Sequence, residues 1–326
     1  MKRGNFVISL DFEIYWGVRD VLHLDQYKNH LLGVRHVIPG LLQLFDRYDI
    51  HATFATVGFL FFNNKDELLQ GLPSLRPGYT DKHLSPYEGH FDEVGKNESE
   101  DPYHFAPSLI RMINDSRQEI GCQTFSHYYC LESGQTVEEF RDDLDAAKKV
   151  AAQSGVELKS FVFPRNQYNE DYLNVCREGG ISSFRGNESS WLYKAKNGES
   201  ETALRRAIRL MDAYINLSGH HCSDPEKLRL KGLCNIPASR FLRPYSKKMA
   251  FLDSLRLKRI ANSMTHAAKH GLTYHLWWHP HNFGINLQQN LAFLEQILDH
   301  YQELCKKYAF RSVSMQQLAD LLNSGQ

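Results

Sequence analysis

The chain has 326 residues, 42% of them apolar, with 38 Lys and Arg against 38 Asp and Glu. That apolar share excludes a disordered chain, and α/β barrels reach this length as a single unit. The formal charge of zero lacks the basic excess of a general nucleic-acid binder, so no nucleic-acid partner is expected.

At the N-terminus, MKRGN runs straight into FVISLDFE. This apolar run is too short for a signal peptide and no stretch approaches a membrane span, so a cytoplasmic protein is expected. The first strand is read over residues 6–11 and ends in Asp11-Phe12-Glu13. Residues at i and i+2 of a strand share a face, so the two carboxylates point to one place. Their repulsion is relieved by a proton or by a bound cation. VIPGLLQLFDRYDI (37–50) has the 3.6-residue period of an amphipathic helix and leads to a second strand over 52–58. Residues 63–105 are rich in Pro, Gly, Asp and Glu and read as a loop over the rim.

A third strand over 118–125 meets Gln123-Thr124-Phe125-Ser126-His127. His127 is a natural metal ligand through a neutral ring nitrogen, whereas Gln123 offers only a hard, neutral amide oxygen. Thr136 with Glu139 three residues on predicts a capped helix over 136–153, ended by Gly155. SFVF then closes on Pro164-Arg165-Asn166, where Pro marks the end of a strand over 159–164. Arg165 is placed to pair with Asp11 or to bind a substrate anion. A fifth strand over 180–185 ends at Arg185, a substrate contact or a salt-bridge partner.

The stretch 187–250 is basic and mixed and reads as a second insertion. A helix over 254–270 leads to a strand over 272–279, which ends in Trp277-Trp278-His279-Pro280-His281. A histidine there can protonate a leaving amine. One Trp packs in the core while the other borders the site; Trp278 is assigned the bordering role, where an aromatic face stacks on a sugar ring. A helix over 287–307 and a short strand over 310–315 finish the chain. The six cysteines (122, 130, 176, 222, 234, 305) form no CxxC pair and read as reduced, mostly buried thiols. Strands alternating with helices imply a parallel sheet with helices outside, in one domain over 1–326, closed or nearly closed as a barrel. In such a sheet the C-terminal strand ends meet at one rim, where all four polar clusters fall.

In order and spacing the clusters resemble those of the polysaccharide deacetylases (carbohydrate esterase family 4), and the resemblance includes the segment VIPGLLQLFDRYDIHATFATVG. It implies a distorted (β/α)7 barrel. It also implies Asp11 as catalytic base, Glu13 and His127 as ligands of a divalent metal such as zinc, Arg165 as the partner of the base and His279 as the general acid. Asn166, Arg185, His281 and Trp278 are taken as substrate contacts. Gln123 stands where the family pattern has its first metal-binding His. Three outcomes stay open: ligation through the amide oxygen, a looser metal, or none, as in superfamily members that open cyclic ureides or imides. The activity implied is removal of an N-acetyl or other N-acyl group from an amino sugar or glycan precursor. The alternatives are a metal-independent C–N hydrolase of the same fold and a non-catalytic glycan-binding relative.

Overall fold

Even and odd residues of the first strand, β1 (Gly4–Phe12), face different worlds. Phe6, Ile8, Leu10 and Phe12 are buried in the main apolar core, while Val7 belongs to a second, smaller cluster and Ser9 and Asp11 are buried polar groups. This division, one apolar layer under the helices and one inward-facing row, is the pattern of a barrel wall. The computed structural model describes residues 3–324 apart from 189, 191, 193–202 and 231, so part of the expected 187–250 insertion lies outside the described residues.

The strands that follow are β2 (Ala52–Thr56), β3 (Glu119–Cys122), β4 (Ser160–Phe161), β5 (Ser183–Phe184), β6 (Arg229–Leu230), β7 (Leu233–Asn235), β8 (Arg240–Phe241), β9 (Thr273–Trp278) and β10 (Phe310–Ser312). Their order across the sheet is β6-β7-β5-β4-β3-β2-β1-β9-β8, and every pairing except that of β6 with β7 is parallel. The helices are α1 (Leu24–Arg47), α2 (Lys65–Gln70), α3 (Pro107–Asp115), α4 (Val137–Gln153), α5 (Glu170–Glu178), α6 (Ala203–Asp212), α7 (Asp253–His270), α8 (Leu287–Lys307) and α9 (Met315–Asn323).

The seventh stave of the wall differs from the one expected. Residues 310–312 pair with β1 on the edge that β2 also uses, with Val313 N on Phe6 O and Val57 N on Phe12 O. The wall is completed instead from inside the 187–250 stretch. One extended segment gives Ile236 N to Phe184 O and Ala238 N to Gly186 O, then Ser239 N to His275 O and Leu242 N to Trp277 O. It thus bonds β5 first and β9 next, and the parallel sheet closes as a (β/α)7 barrel. Short strands with basic and polar residues hid this stave from a periodicity reading.

Local signals elsewhere hold. Thr136 and Glu139 form the capping box of α4, and Ser314 with Gln317 forms another at α9. Gly271 ends α7 in the left-handed region at φ 68°. Helix α1 begins at Leu24, thirteen residues before the expected start (37 − 24 = 13), and continues through Pro39. Helix α9 lies under the barrel, not outside it. Met315 and Leu318 join Val7, Ala55, Val162 and Ile236, and Met315 N donates to Thr53 Oγ1 at 2.9 Å. The floor is therefore apolar, and polar inward residues collect at the opposite mouth. Four cysteines are buried, Cys222 and Cys305 are half-buried, and all are free thiols.

Candidate active site

At the mouth, Asp11 is 4% exposed and is gripped at both oxygens by Arg185, at 2.5 and 2.7 Å. Arg185 is 1% exposed, lies over the Trp277 ring at 4.1 Å, and also donates to Ser9 Oγ at 3.1 Å and Asn166 Oδ1 at 3.3 Å. Behind it, His275 accepts from or donates to Ser9 Oγ at 2.9 Å and meets Ile236 O at 3.1 Å. Burial holds His275 down to about 3, so the ring is neutral, with Nδ1–H donating to the carbonyl and Nε2 accepting from Ser9.

Arg185 therefore takes the place expected for Arg165. Arg165 sits outside the pair, bonded to Asp20 and, at 3.1 Å, to Glu132, with its guanidinium 4.1 Å over the Tyr129 ring. Its backbone is left-handed (φ 54°), which turns the side chain away from β1. Asn166 spends its side-chain oxygen on Arg185, so it positions that residue.

Glu13 is 3% exposed. Its Oε2 accepts from Gln123 Nε2 at 2.8 Å and meets His127 Nε2 at 3.1 Å, while Oε1 lies 3.5 Å from His279 Nε2. Burial alone would raise its pKa, but the imidazoles of His279 and His127 outweigh that and bring it down to about 2. Such a carboxylate stays ionised and is a poor proton acceptor near neutrality. Gly17 makes room for it: a Cβ there would fall 2.0 Å from Glu13 Cδ.

The loop 123–127 is anchored from α4. Asp143 accepts from Phe125 N at 2.6 Å, Ser126 N at 3.1 Å and the Ser126 hydroxyl. Burial pushes Asp143 up to about 6 in spite of those bonds. Left-handed φ values cluster in these rim loops, at Ile14 (45°), Thr124 (63°), His127 (60°), Arg165 (54°) and Asn166 (54°). For a β-branched residue such as Ile14 this is a true outlier, and such strain gathers at functional sites.

His127 Nδ1 lies 3.2 Å from the Tyr129 hydroxyl, which itself donates to Asp20 Oδ2 at 3.0 Å. A hydroxyl has one hydrogen, so Nδ1–H is the donor to Tyr129. Nε2 then faces Glu13 Oε2, and two bare acceptors at 3.1 Å repel. Either a second proton or a shared cation holds them together. Gln123 Oε1 is buried without a partner. A half-turn of that amide would aim Oε1 at the same point, an arrangement Glu13 tolerates only with a cation to share. Glu13, His127 and Gln123 thus fit a divalent cation of mixed nitrogen and oxygen preference. Asp11, Glu13 and His279 also offer ligand atoms within 4.8 Å of one another, but Arg185 already engages both Asp11 oxygens, which favours the first set.

His279 is the open face of the site. Its side chain is 24% exposed, with Nε2 3.8 Å from Asp11 Oδ2. His281 stacks on it at 5.0 Å between ring centroids but is 4% exposed. Burial and the neighbouring His279 hold His281 down to about 3, so it is a neutral shelf for His279, not the expected substrate contact. The two tryptophans are exchanged as well. Trp278 is wholly buried and stacks on Phe283, while Trp277 lies between Arg185 and His279 at the mouth. Ser9, His275, Tyr129 and Asp20 were missed by sequence reasoning. The first two were within reach, since 9, 11 and 13 share one strand face, and 275, 277 and 279 another.

A family model described as polysaccharide deacetylase matches residues 25–184, a span that holds Gln123, His127 and Arg165 but stops short of Asp11, Glu13, Arg185 and His279. A search of the curated proteins finds no match. Among solved structures, a putative polysaccharide deacetylase from Mycobacterium smegmatis is 14% identical, with a TM-score of 0.63 over 99% of this chain and 91% of its own. A probable polysaccharide deacetylase from Pseudomonas aeruginosa PAO1 is 11% identical, with a TM-score of 0.58 over 98% and 90%. Puue allantoinase is 11% identical, with a TM-score of 0.57 over 99% and 91%. At such identities the likeness is one of fold, and it runs around the whole barrel. Residues 25–184, from α1 to β5, thus carry the sequence pattern of the polysaccharide deacetylase family, and the whole chain shares the fold of these solved structures.

Proposed function

We propose that this protein hydrolyses a carbon–nitrogen bond of the amide type, removing the N-acyl group of an amino sugar or glycan precursor. The observation that carries the reading is the partly exposed imidazole of His279 set 3.8 Å from Asp11, with both carboxylates buried beneath it. Asp11, oriented by Arg185, takes a proton from the attacking water. Its hydroxyl adds to the acyl carbon, the C–N bond breaks, and His279 gives a proton to the departing nitrogen. The products are a carboxylic acid and a free amine. Glu13, with its pKa near 2, serves better as an anchor than as the base.

Glu13, His127 and Gln123 are the residues that would hold a divalent cation, zinc by the family pattern. When bound, such an ion acidifies water and polarises a carbonyl. A second reading, opening of a cyclic amide without metal, is favoured by the Gln123 N–H donated to Glu13 Oε2 at 2.8 Å, a neutral donor on the oxygen that a cation would otherwise take.

Acetate release from N-acetylated sugars, with and without added Zn²⁺ or Co²⁺, tests the proposal. Turnover that is lost in Asp11→Asn while fold and bound metal persist supports it. Comparable activity in that variant removes Asp11 as the base. Turnover on a cyclic amide alone, unaffected by chelator, selects the second reading.

A further inference from the structure

Beyond the catalytic residues, one part of the rim is both greasy and positive. Met211, Ile215, Leu217, Phe251 and Leu255 are 51, 57, 50, 76 and 43% exposed. They fall at the end of α6 and the start of α7, two segments joined by Arg259, whose side chain donates to Asp212 O at 3.3 Å and pairs with its carboxylate. The exposed charges on these segments are Arg206, Lys247, Lys248 and Lys258. The acids there are Asp212, buried and bonded to Arg240 and Arg259, and Asp253, paired with Arg256 at 3.0 Å. Among the described residues of 203–221 and 243–260, therefore, every exposed charge is positive.

The position of this patch is as telling as its chemistry. Phe241, at the end of β8, packs against His279 at 5.9 Å, and the chain passes from there to Phe251 and α7. The patch flanks the mouth of the cleft. Apolar side chains on a basic ground have few stable destinations. A two-fold pairing of the patch with itself would set lysine against lysine. An anionic bilayer meets both needs, since it attracts the cations and takes the apolar side chains to the acyl boundary. No helix among the described residues is long and apolar enough to cross a membrane, so the contact is one of surface docking.

We propose that the α6–α7 patch docks the protein on an anionic membrane surface, with the cleft beside the leaflet. The docking stands without the hydrolytic reading. If both hold, the substrate class is an N-acylated saccharide carried on a lipid.

Flotation of the full-length protein with vesicles tests it. Wild type is expected to float with phosphatidylcholine vesicles containing 30% phosphatidylglycerol and not with pure phosphatidylcholine, and 0.5 M NaCl is expected to release it. Near an anionic leaflet each basic side chain is worth roughly fivefold in affinity, so Lys247→Gln with Lys248→Gln should weaken binding roughly 25-fold. Phe251→Ser with Leu255→Ser should weaken it at least tenfold, with far-UV circular dichroism and hydrolysis of a small soluble substrate unchanged. Failure of wild type to float, equal binding to both vesicle types, or binding untouched by both double variants overturns the proposal. A dimer in solution that Phe251→Ser dissociates, without flotation, assigns the patch to a second copy of the chain and overturns it too.

Discussion

Exchange of the expected arginine for another is the sharpest finding to test, because the two sites respond differently to the same perturbation. Arg185 and Asp11 are both almost fully buried and form a two-pronged pair. Removing one partner of such a pair strands a buried charge, at about 3–5 kcal/mol. Arg185→Met should therefore lower unfolding stability by that amount. Asp11→Leu with Arg185→Met replaces the pair by apolar groups of similar size. It leaves only Ser9 and Asn166 short of a donor, at about 1 kcal/mol each. With about 3–5 kcal/mol for each single variant and about 2 kcal/mol for the double, the coupling between positions 11 and 185 should be about 4–8 kcal/mol, read from urea unfolding followed by far-UV circular dichroism. Arg165 is 35% exposed and its pairs are with Asp20 and Glu132. Arg165→Met should cost about 1–2 kcal/mol and couple to Asp11→Leu by less than about 0.5 kcal/mol, since the sites share no contact. A large coupling to 165 with none to 185 would restore Arg165 as the partner of Asp11 and refute the geometry.

Other expectations follow from the same contacts. Gln123→His adds an imidazole beside Glu13 and His127, and should raise zinc affinity by at least about tenfold in calorimetric titration; an unchanged affinity would mean that position 123 does not face the ion. Gly17→Ala forces a methyl onto Glu13, and should reduce both turnover and thermal stability, whereas the same change at Gly155, where the Cβ position is open but φ is 72°, should cost only the left-handed backbone strain of about 1–2 kcal/mol in stability and leave turnover unchanged. His275 and His90 are each held down to about 3 by burial, whereas the unfolded chain titrates near 6.5. The unfolded state thus binds more protons below 6.5, and stability present at pH 7 is lost on acidification, by about 2 kcal/mol per ring between pH 7 and pH 5. Asp143, raised to about 6, works in the opposite sense by about 1 kcal/mol. Denaturant midpoints across that range measure the sum, and His275→Gln should flatten the slope by about one proton; an unchanged slope would mean that His275 is not the neutral buried ring described.

Much of this was legible before any coordinates. The 2-residue period placed Asp11 with Glu13, and the capping pair at 136 and 139 fixed α4. What escaped has physical causes. Arg165 and Arg185 both end strands, and only the left-handed backbone at 165, a tertiary outcome, tells which one reaches Asp11. Trp277 shares the strand face of His279 by the two-residue period, so the repeat that joined Asp11 to Glu13 already favoured it over Trp278 at the mouth. The closing stave was invisible because it owes its strand character to two neighbours, β5 and β9, and not to β-branched residues of its own.

That stave also has a mechanical meaning. At Ala238 and Ser239 the backbone changes allegiance from one neighbour to the other, so no single ladder spans the join. A cylinder closed this way has a seam, and its girth can be altered there while the walls bearing the acids keep their register. Access for bulkier ligands is therefore tuned most simply along residues 233–242, by lengthening or slipping one strip of backbone, with the proton-transfer pair left where it stands.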